Sequence, residues 1–167
     1  YKALREAARG GGYAKIAVAH HGDDQAETVL YHLLRGSGVT GLSGMKPING
    51  DIIRPFLCVS KNEIKDFLKD FSYVPCHDES NDVEDAVRNR IRLSLVPELI
   101  SYNPRVTESL RRTADIFREE DLFMEEKADV FISSCVEHDN DKCVFFIAYF
   151  LVLHIALQRR VIRKICC

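Results

Sequence analysis

The chain has 167 residues and a mass of 19.0 kDa, enough for one domain or for a small domain with a helical appendage. With 46% hydrophobic and 29% charged residues it has the balance of a globular protein and not of a disordered tail. A formal charge of −2 excludes a uniformly basic nucleic-acid coat but leaves room for a local basic patch, and the longest apolar run, residues 144–157, contains His154 and is too short to span a bilayer.

In chain order, residues 2–9 read as a helix with Ala3, Leu4, Ala7 and Ala8 on one face, stopped by Gly10-Gly11-Gly12. Lys15-Ile16-Ala17-Val18-Ala19-His20 suits a buried strand of a parallel sheet. Residues 23–35 follow as a helix with Ala26, Val29, Leu30, Leu33 and Leu34 as its apolar stripe, ended by Gly36-Ser37-Gly38. Residues 39–45 read as a glycine-punctuated loop. Asn49-Gly50 marks a tight turn before a second short strand, Asp51-Ile52-Ile53-Arg54-Pro55.

Ser60 caps the next helix with Glu63 as its box partner, and Ile64, Phe67, Leu68 and Phe71 form its buried side. Residues 73–85 read as a polar loop and residues 86–95 as a helix, with Pro97 as an interruption. Asn103-Pro104 opens a long helix reaching about Val136, on the order of 50 Å at 1.5 Å per residue. Residues 144–164 read as a final buried helix, after a short strand at 143–147. The expected class is α/β for residues 1–97 and mainly helical for residues 98–167. Two strands are too few for a stable sheet. The helix already under way at Tyr1, and the unclosed run at residues 159–167, suggest a piece of a longer protein that supplies further strands.

Six cysteines, without C-x-x-C spacing or a secretory signal, read as reduced thiols of a cytoplasmic protein. Charge is blocked along the second half. Residues 88–118 carry seven arginines against three acids, residues 119–141 nine acids and one lysine, and residues 142–167 five basic residues and no acid. Such blocks are either solvated helix faces or a track for a phosphate backbone.

Three segments carry chemistry. His20-His21-Gly22-Asp23-Asp24-Gln25-Ala26-Glu27-Thr28 lies where a strand's carboxyl end turns into a helix, the ligand-binding edge of an open α/β sheet. Asp24 and Glu27 fit a capping box. The histidines and acids together fit a divalent metal, and two clustered carboxylates fit a cationic amine whose proton they can take. Arg35-Gly36-Ser37-Gly38-Val39-Thr40-Gly41-Leu42-Ser43-Gly44-Met45 permits close backbone approach to a ligand, or is a plain helix stop and surface loop. In Asp78-Glu79-Ser80-Asn81 and Arg88-Asn89-Arg90-Ile91-Arg92, Arg88 and Arg92 share a helix face. They can clamp a phosphate, with Asn81 and Asn89 beside it, or salt-bridge to Glu79, Asp82 or Glu84.

In this order and spacing the three segments resemble the tRNA(Ile)-lysidine synthetases of the N-type ATP pyrophosphatase (PP-loop) group. Ile53-Arg54-Pro55-Phe56-Leu57 and Val96-Pro97 add to the match, with a weaker echo in Ala156-Leu157-Gln158-Arg159-Arg160. The likeness is strong over residues 1–112. It implies a partial Rossmann-like (adenine nucleotide alpha-hydrolase-like) parallel sheet, residues 1–97 being the later part of the PP-loop domain and residues 98–167 a helical linker or middle domain. It also implies ATP and Mg2+ as cofactors, with tRNA(Ile) carrying a CAU anticodon and free lysine as partners. Adenylation of the wobble cytidine at its C2 oxygen is followed by displacement of AMP by the lysine amine. Asp24, Glu27 and His21 are the implied catalytic residues, and Arg35, Arg54, Asn81, Arg88, Asn89 and Arg92 the implied phosphate or tRNA contacts.

The family's Ser-Gly-Gly-x-Asp-Ser nucleotide loop is absent from residues 1–167. It is expected before Tyr1, so the chain alone is expected to be inactive. An open sheet edge leaves a homodimer as a further expectation. Rival readings are another PP-loop tRNA enzyme such as a cytidine thiolase, a metal phosphohydrolase using His20, His21, Asp23 and Asp24, and a helical module that only grips RNA.

Overall fold

A computed structural model describes residues 1–71, 87–139 and 142–166, which form two compact units, Tyr1–Phe117 and Arg118–Cys167. The whole of the expected polar loop at 73–85, with Asp78-Glu79-Ser80-Asn81, lies outside the described residues.

The first unit opens with α1 (Lys2–Gly10), followed by β1 (Ile16–Ala17), α2 (Gly22–Leu34) and α3 (Val39–Leu42). β2 (Ile48–Asn49) and β3 (Ile52–Ile53) form a hairpin, with β3 also parallel to β1, so the sheet order is β1-β3-β2. β1 and β3 fall within the two expected strand segments, but β1 is only two residues long and is not buried as expected, Ile16 being half-buried and Ala17 exposed. The sheet is mixed and not purely parallel, because Asn49-Gly50 turns the chain back on itself and adds the antiparallel β2. The expected loop at 39–45 contains the short α3, whose Gly38 start is helix-compatible. A 3₁₀ turn (Pro55–Cys58) leads to α4 (Lys61–Lys69), whose Ser60 hydroxyl accepts from the Glu63 N–H while Glu63 accepts from the Ser60 N–H. Phe67 and Phe71 pack on one another at 4.9 Å between ring centroids, yet each is 63% exposed. The expected buried side of α4 is therefore not buried: Ile64 and Leu68 are half-buried and Phe67 and Phe71 exposed.

α5 (Val87–Arg90), a π turn (Ile91–Leu95) and α6 (Val96–Tyr102) run on without a stop. Pro97 does not interrupt this run. It sits in the first turn of α6, where a missing N–H costs little, and the preceding wide π turn accommodates the ring. Ala26, Val29 and Leu30 of α2 are buried, as are Ile52, Leu57, Ile91 and Ala114.

α7 (Val106–Cys135) begins after Asn103, whose Oδ1 accepts from the Arg105 N–H at 3.0 Å, and it continues into the second unit. There it is followed by an antiparallel pair, β4 (Val136–Asp139) and β5 (Lys142–Phe145). Residues 144–164 are not one helix. α8 (Ile147–Leu151) and α9 (Ile155–Cys166) are separated at residues 152–154, and Gln158 donates to the Leu153 carbonyl across the break at 2.9 Å. Ala128, Phe131 and Val161 form the second unit's core, with Phe145 and Phe150 edge-on to Phe131.

Asp121, Glu125 and Asp129 of α7 face the basic residues of α9. Arg160 donates to Asp121 at 2.6 Å and to Glu125 at 2.5 Å, and Lys164 lies 2.8 Å from Glu125 and 2.5 Å from Asp129. Burial alone would push Glu125 up. Hydrogen bonds from Lys164 and Arg160 outweigh it and hold Glu125 at about 2. Among the described residues no disulfide joins Cys58, Cys135, Cys143 and Cys166, and no helix is long and apolar enough to cross a membrane.

Candidate functional site

The site lies where β1's carboxyl end feeds α2. The N–H of Gly22 donates to the Val59 carbonyl at 2.7 Å, and a Cβ on Gly22 would stand 2.6 Å from the guanidinium of Arg111. That guanidinium in turn donates to the Cys58 carbonyl. Asp23 turns toward α4, where its Oδ2 accepts the Lys61 N–H at 2.7 Å and helps cap that helix. The His-His-Gly-Asp-Asp run is therefore divided among tasks. Among the described residues no group of three or more His, Cys, Asp or Glu side chains is placed to hold a metal ion.

The capping box of α2 falls three residues earlier than its spacing suggests. His21 is the N-cap, and its backbone N–H donates to Asp24 Oδ2 at 2.9 Å. The His21 ring Nδ1 is 3.4 Å from the same oxygen and 3.5 Å from Asp23 Oδ2. Glu27 takes no part in the cap.

Asp24 and Glu27 lie one turn apart on α2 and are only 8% and 4% exposed. Two carboxylates so buried need cations, and arginines supply them. Arg92 in the π turn donates from Nε to Glu27 Oε1 at 2.7 Å, and from Nη2 to Glu27 Oε2 and Asp24 Oδ1 at 2.9 Å each. The hydrogen bonds to Glu27 hold Arg92 above its ordinary value, against the opposing pull of burial. Arg88 of α5 is set further back, with Nε 3.5 Å from Glu27 Oε2 and Nη2 3.7 Å from Asp24 Oδ1. The acids thus lie behind an arginine and are not open to solvent. The arginines predicted to clamp phosphate face carboxylates.

A cleft of about 560 Å³ opens beside this cluster, lined in part by His20, Thr28, Tyr31, Met45, Arg54 and Arg88. His20 is pushed below the ordinary imidazole value by burial first, with Arg54 and Arg88 adding to the effect and Asp24 opposing it. Its buried Nδ1 has no partner among the described residues. Arg54 donates from Nη1 to the Lys46 carbonyl at 2.8 Å, while its buried Nε has no partner among the described residues. Arg35 is exposed, donates to the Tyr31 hydroxyl and stacks 5.1 Å above that ring's centroid. Asn89 lies on α5, and Asn81 falls outside the described residues.

Sequence reasoning passed over Gln25. This buried side chain accepts from the Met45 N–H at 2.8 Å and donates to the carbonyls of Met45 at 3.2 Å and Ser43 at 3.4 Å. It fastens the glycine segment to α2 and seats Met45 on the cleft wall. Gly44 has φ +63°, and a Cβ there would come within 2.7 Å of the Gln25 amide. The signal available beforehand was a polar residue at a core-facing position, between two acids.

Residues 1–99 match the PP-loop domain family. The chain is similar to proteins named tRNA(Ile)-lysidine synthase. It is 38% identical to that of Caldanaerobacter subterraneus subsp. tengcongensis over 98% of this chain and 35% of the relative. It is 39% identical to that of Geobacillus kaustophilus over 89% and 33%, and 45% identical to that of Bacteroides thetaiotaomicron over 60% and 24%. The chain spans about a third of the length of the first two relatives.

Proposed function

Because this chain belongs to the PP-loop domain family, we propose that it is part of a tRNA(Ile)-lysidine synthase, an ATP-dependent ligase that joins lysine to the wobble cytidine of tRNA(Ile) with a CAU anticodon. In that reaction the C2 oxygen attacks the α-phosphorus of ATP and pyrophosphate leaves. The lysine amine, having given up a proton, attacks C2, and AMP departs with the former C2 oxygen. The activity is that of the longer protein, in which residues 1–97 act as the later part of the PP-loop domain and residues 98–167 as a helical linker. The cytoplasm is its proposed location.

The observation that supports this reading is the acid pair of α2, buried behind Arg92 at a strand-to-helix bend, next to a cleft whose lining includes Arg54, Arg88 and His20 but neither acid. Asp24 and Glu27 hold the lysine ammonium, by charge and by hydrogen bonds. All four of their oxygens already lie within hydrogen-bond reach of a donor. Each carboxylate oxygen has a second lone pair, so the ammonium shares these oxygens with Arg92 and its proton reaches them when the more distant Arg88 gives way. His21 fixes the orientation of Asp24. Arg54 and Arg88 are the assigned phosphate contacts, with Asn89 and Arg35 nearest the tRNA. The magnesium ion implied by the family does not fit the described residues as a protein-held site, because among them no group of three or more His, Cys, Asp or Glu side chains is placed to ligate it.

The test uses the full-length protein with a CAU-anticodon tRNA transcript, ATP and lysine. Mass analysis of the digested tRNA is expected to show one cytidine converted to lysidine, with one AMP released per event. Phosphate release without lysine, dependent on manganese or zinc, would instead favour the phosphohydrolase. Tight RNA binding unaffected by Asp24→Ala and Glu27→Ala, with no turnover, would favour the RNA-gripping module.

A further inference from the structure

The two arginines on the acid pair differ in ways that the synthase reading, on which this inference rests, does not require. We propose that Arg92 is the fixed counter-ion of Asp24 and Glu27, and that Arg88 is a displaceable one whose place the primary ammonium of the substrate takes.

Three observations separate them. Arg92 makes three direct bonds of 2.7 to 2.9 Å, whereas Arg88 reaches the same pair only at 3.5 and 3.7 Å. The oxygens nearest Arg88, Glu27 Oε2 and Asp24 Oδ1, are both already bonded by Arg92, so withdrawal of Arg88 strips no carboxylate of its only donor. Arg88's side chain is 43% exposed and lines the cleft, while that of Arg92 is 29% exposed and seated in the π turn.

Charge then selects the ligand. Two buried carboxylates call for two positive charges, and Arg92 supplies one. The second comes from Arg88 in the resting site and from an ammonium in the loaded one. A compact ammonium with three donors approaches more closely than a fork held at 3.5 Å. A neutral side chain of the same length cannot replace Arg88 without leaving the acids under-compensated. Once displaced, Arg88 remains on the cleft wall with Arg54, where an anion can hold it.

Steady-state kinetics on the full-length enzyme, with lysine and ATP varied separately, test this. Removing a competing cation raises the fraction of competent sites, so Arg88→Ala is expected to lower the KM for lysine by at least about threefold while raising the KM for ATP. Arg88→Gln, which keeps more of the stem, is expected to shift both in the same directions. Arg88→Lys, a tethered ammonium, is expected to leave the lysine KM at or above the wild-type value. An unchanged or raised lysine KM in Arg88→Ala and Arg88→Gln, with the wild type active, would overturn the displacement and leave the synthase reading standing. A wild-type enzyme that releases no AMP in response to lysine would sink both.

Discussion

Arg92 holds two acids at once, and its removal shows how far the site depends on charge balance. Arg92→Ala leaves Glu27 Oε1 without its 2.7 Å donor inside the fold. Breaking a buried pair from one side costs about 3 kcal/mol or more, so urea unfolding followed by circular dichroism is expected to show a loss of that order. Glu27→Ala in the same protein is expected to cost less stability, because the guanidinium it frees is partly exposed. At Gly44 the backbone is left-handed and Gln25 fills the space a Cβ would need. Gly44→Ala is expected to cost at least about 1 kcal/mol. Gly10→Ala, with no atom near the added Cβ, is expected to be neutral or slightly stabilising in the same assay. The identities of the site residues were legible in the sequence, because Asp24, Glu27, Arg88 and Arg92 sit at helical spacing. Their partnership was not legible, because it joins residues more than sixty positions apart.

At the level of elements, local signals read well and non-local ones did not. Ser60 with Glu63, and Asn103 ahead of α7, mark helix starts by hydrogen bonds that close within four residues. β4 was missed because Val136-Glu137-His138-Asp139 gains its strand character only from its pairing with β5. The break at residues 152–154 was missed because an apolar run carries no punctuation there. Asp23 shows one residue serving two elements, since it lies in the first turn of α2 and caps α4. Asp23→Ala is expected to lower stability by about 1 kcal/mol. Hydrogen exchange is expected to place the effect at the amides of residues 61–63. Protection loss confined to α2 would contradict that assignment.

On the scale of the whole molecule, the charge blocks of the second half largely answer one another. Acids of α7 take up Arg160, Arg163 and Lys164 of α9, so three of the five basic residues in the last block are engaged within their own unit. Glu125 sits at about 2 when folded, against an ordinary value of 4.5. Its contribution to stability is complete above the higher value and is lost as pH falls toward the lower one. Melting of the second unit, followed by circular dichroism, is expected to weaken across that window, and Glu125→Gln is expected to flatten the dependence. In the proposed reaction the α2 acid pair receives the lysine amine, and following pyrophosphate and AMP release separately in the full-length Glu27→Gln protein checks that role. Pyrophosphate release that largely survives, while lysine-dependent AMP release collapses or needs far more lysine, is the predicted result. An equal loss of both steps would contradict the claim and leave Glu27 as a structural partner of Arg92 alone.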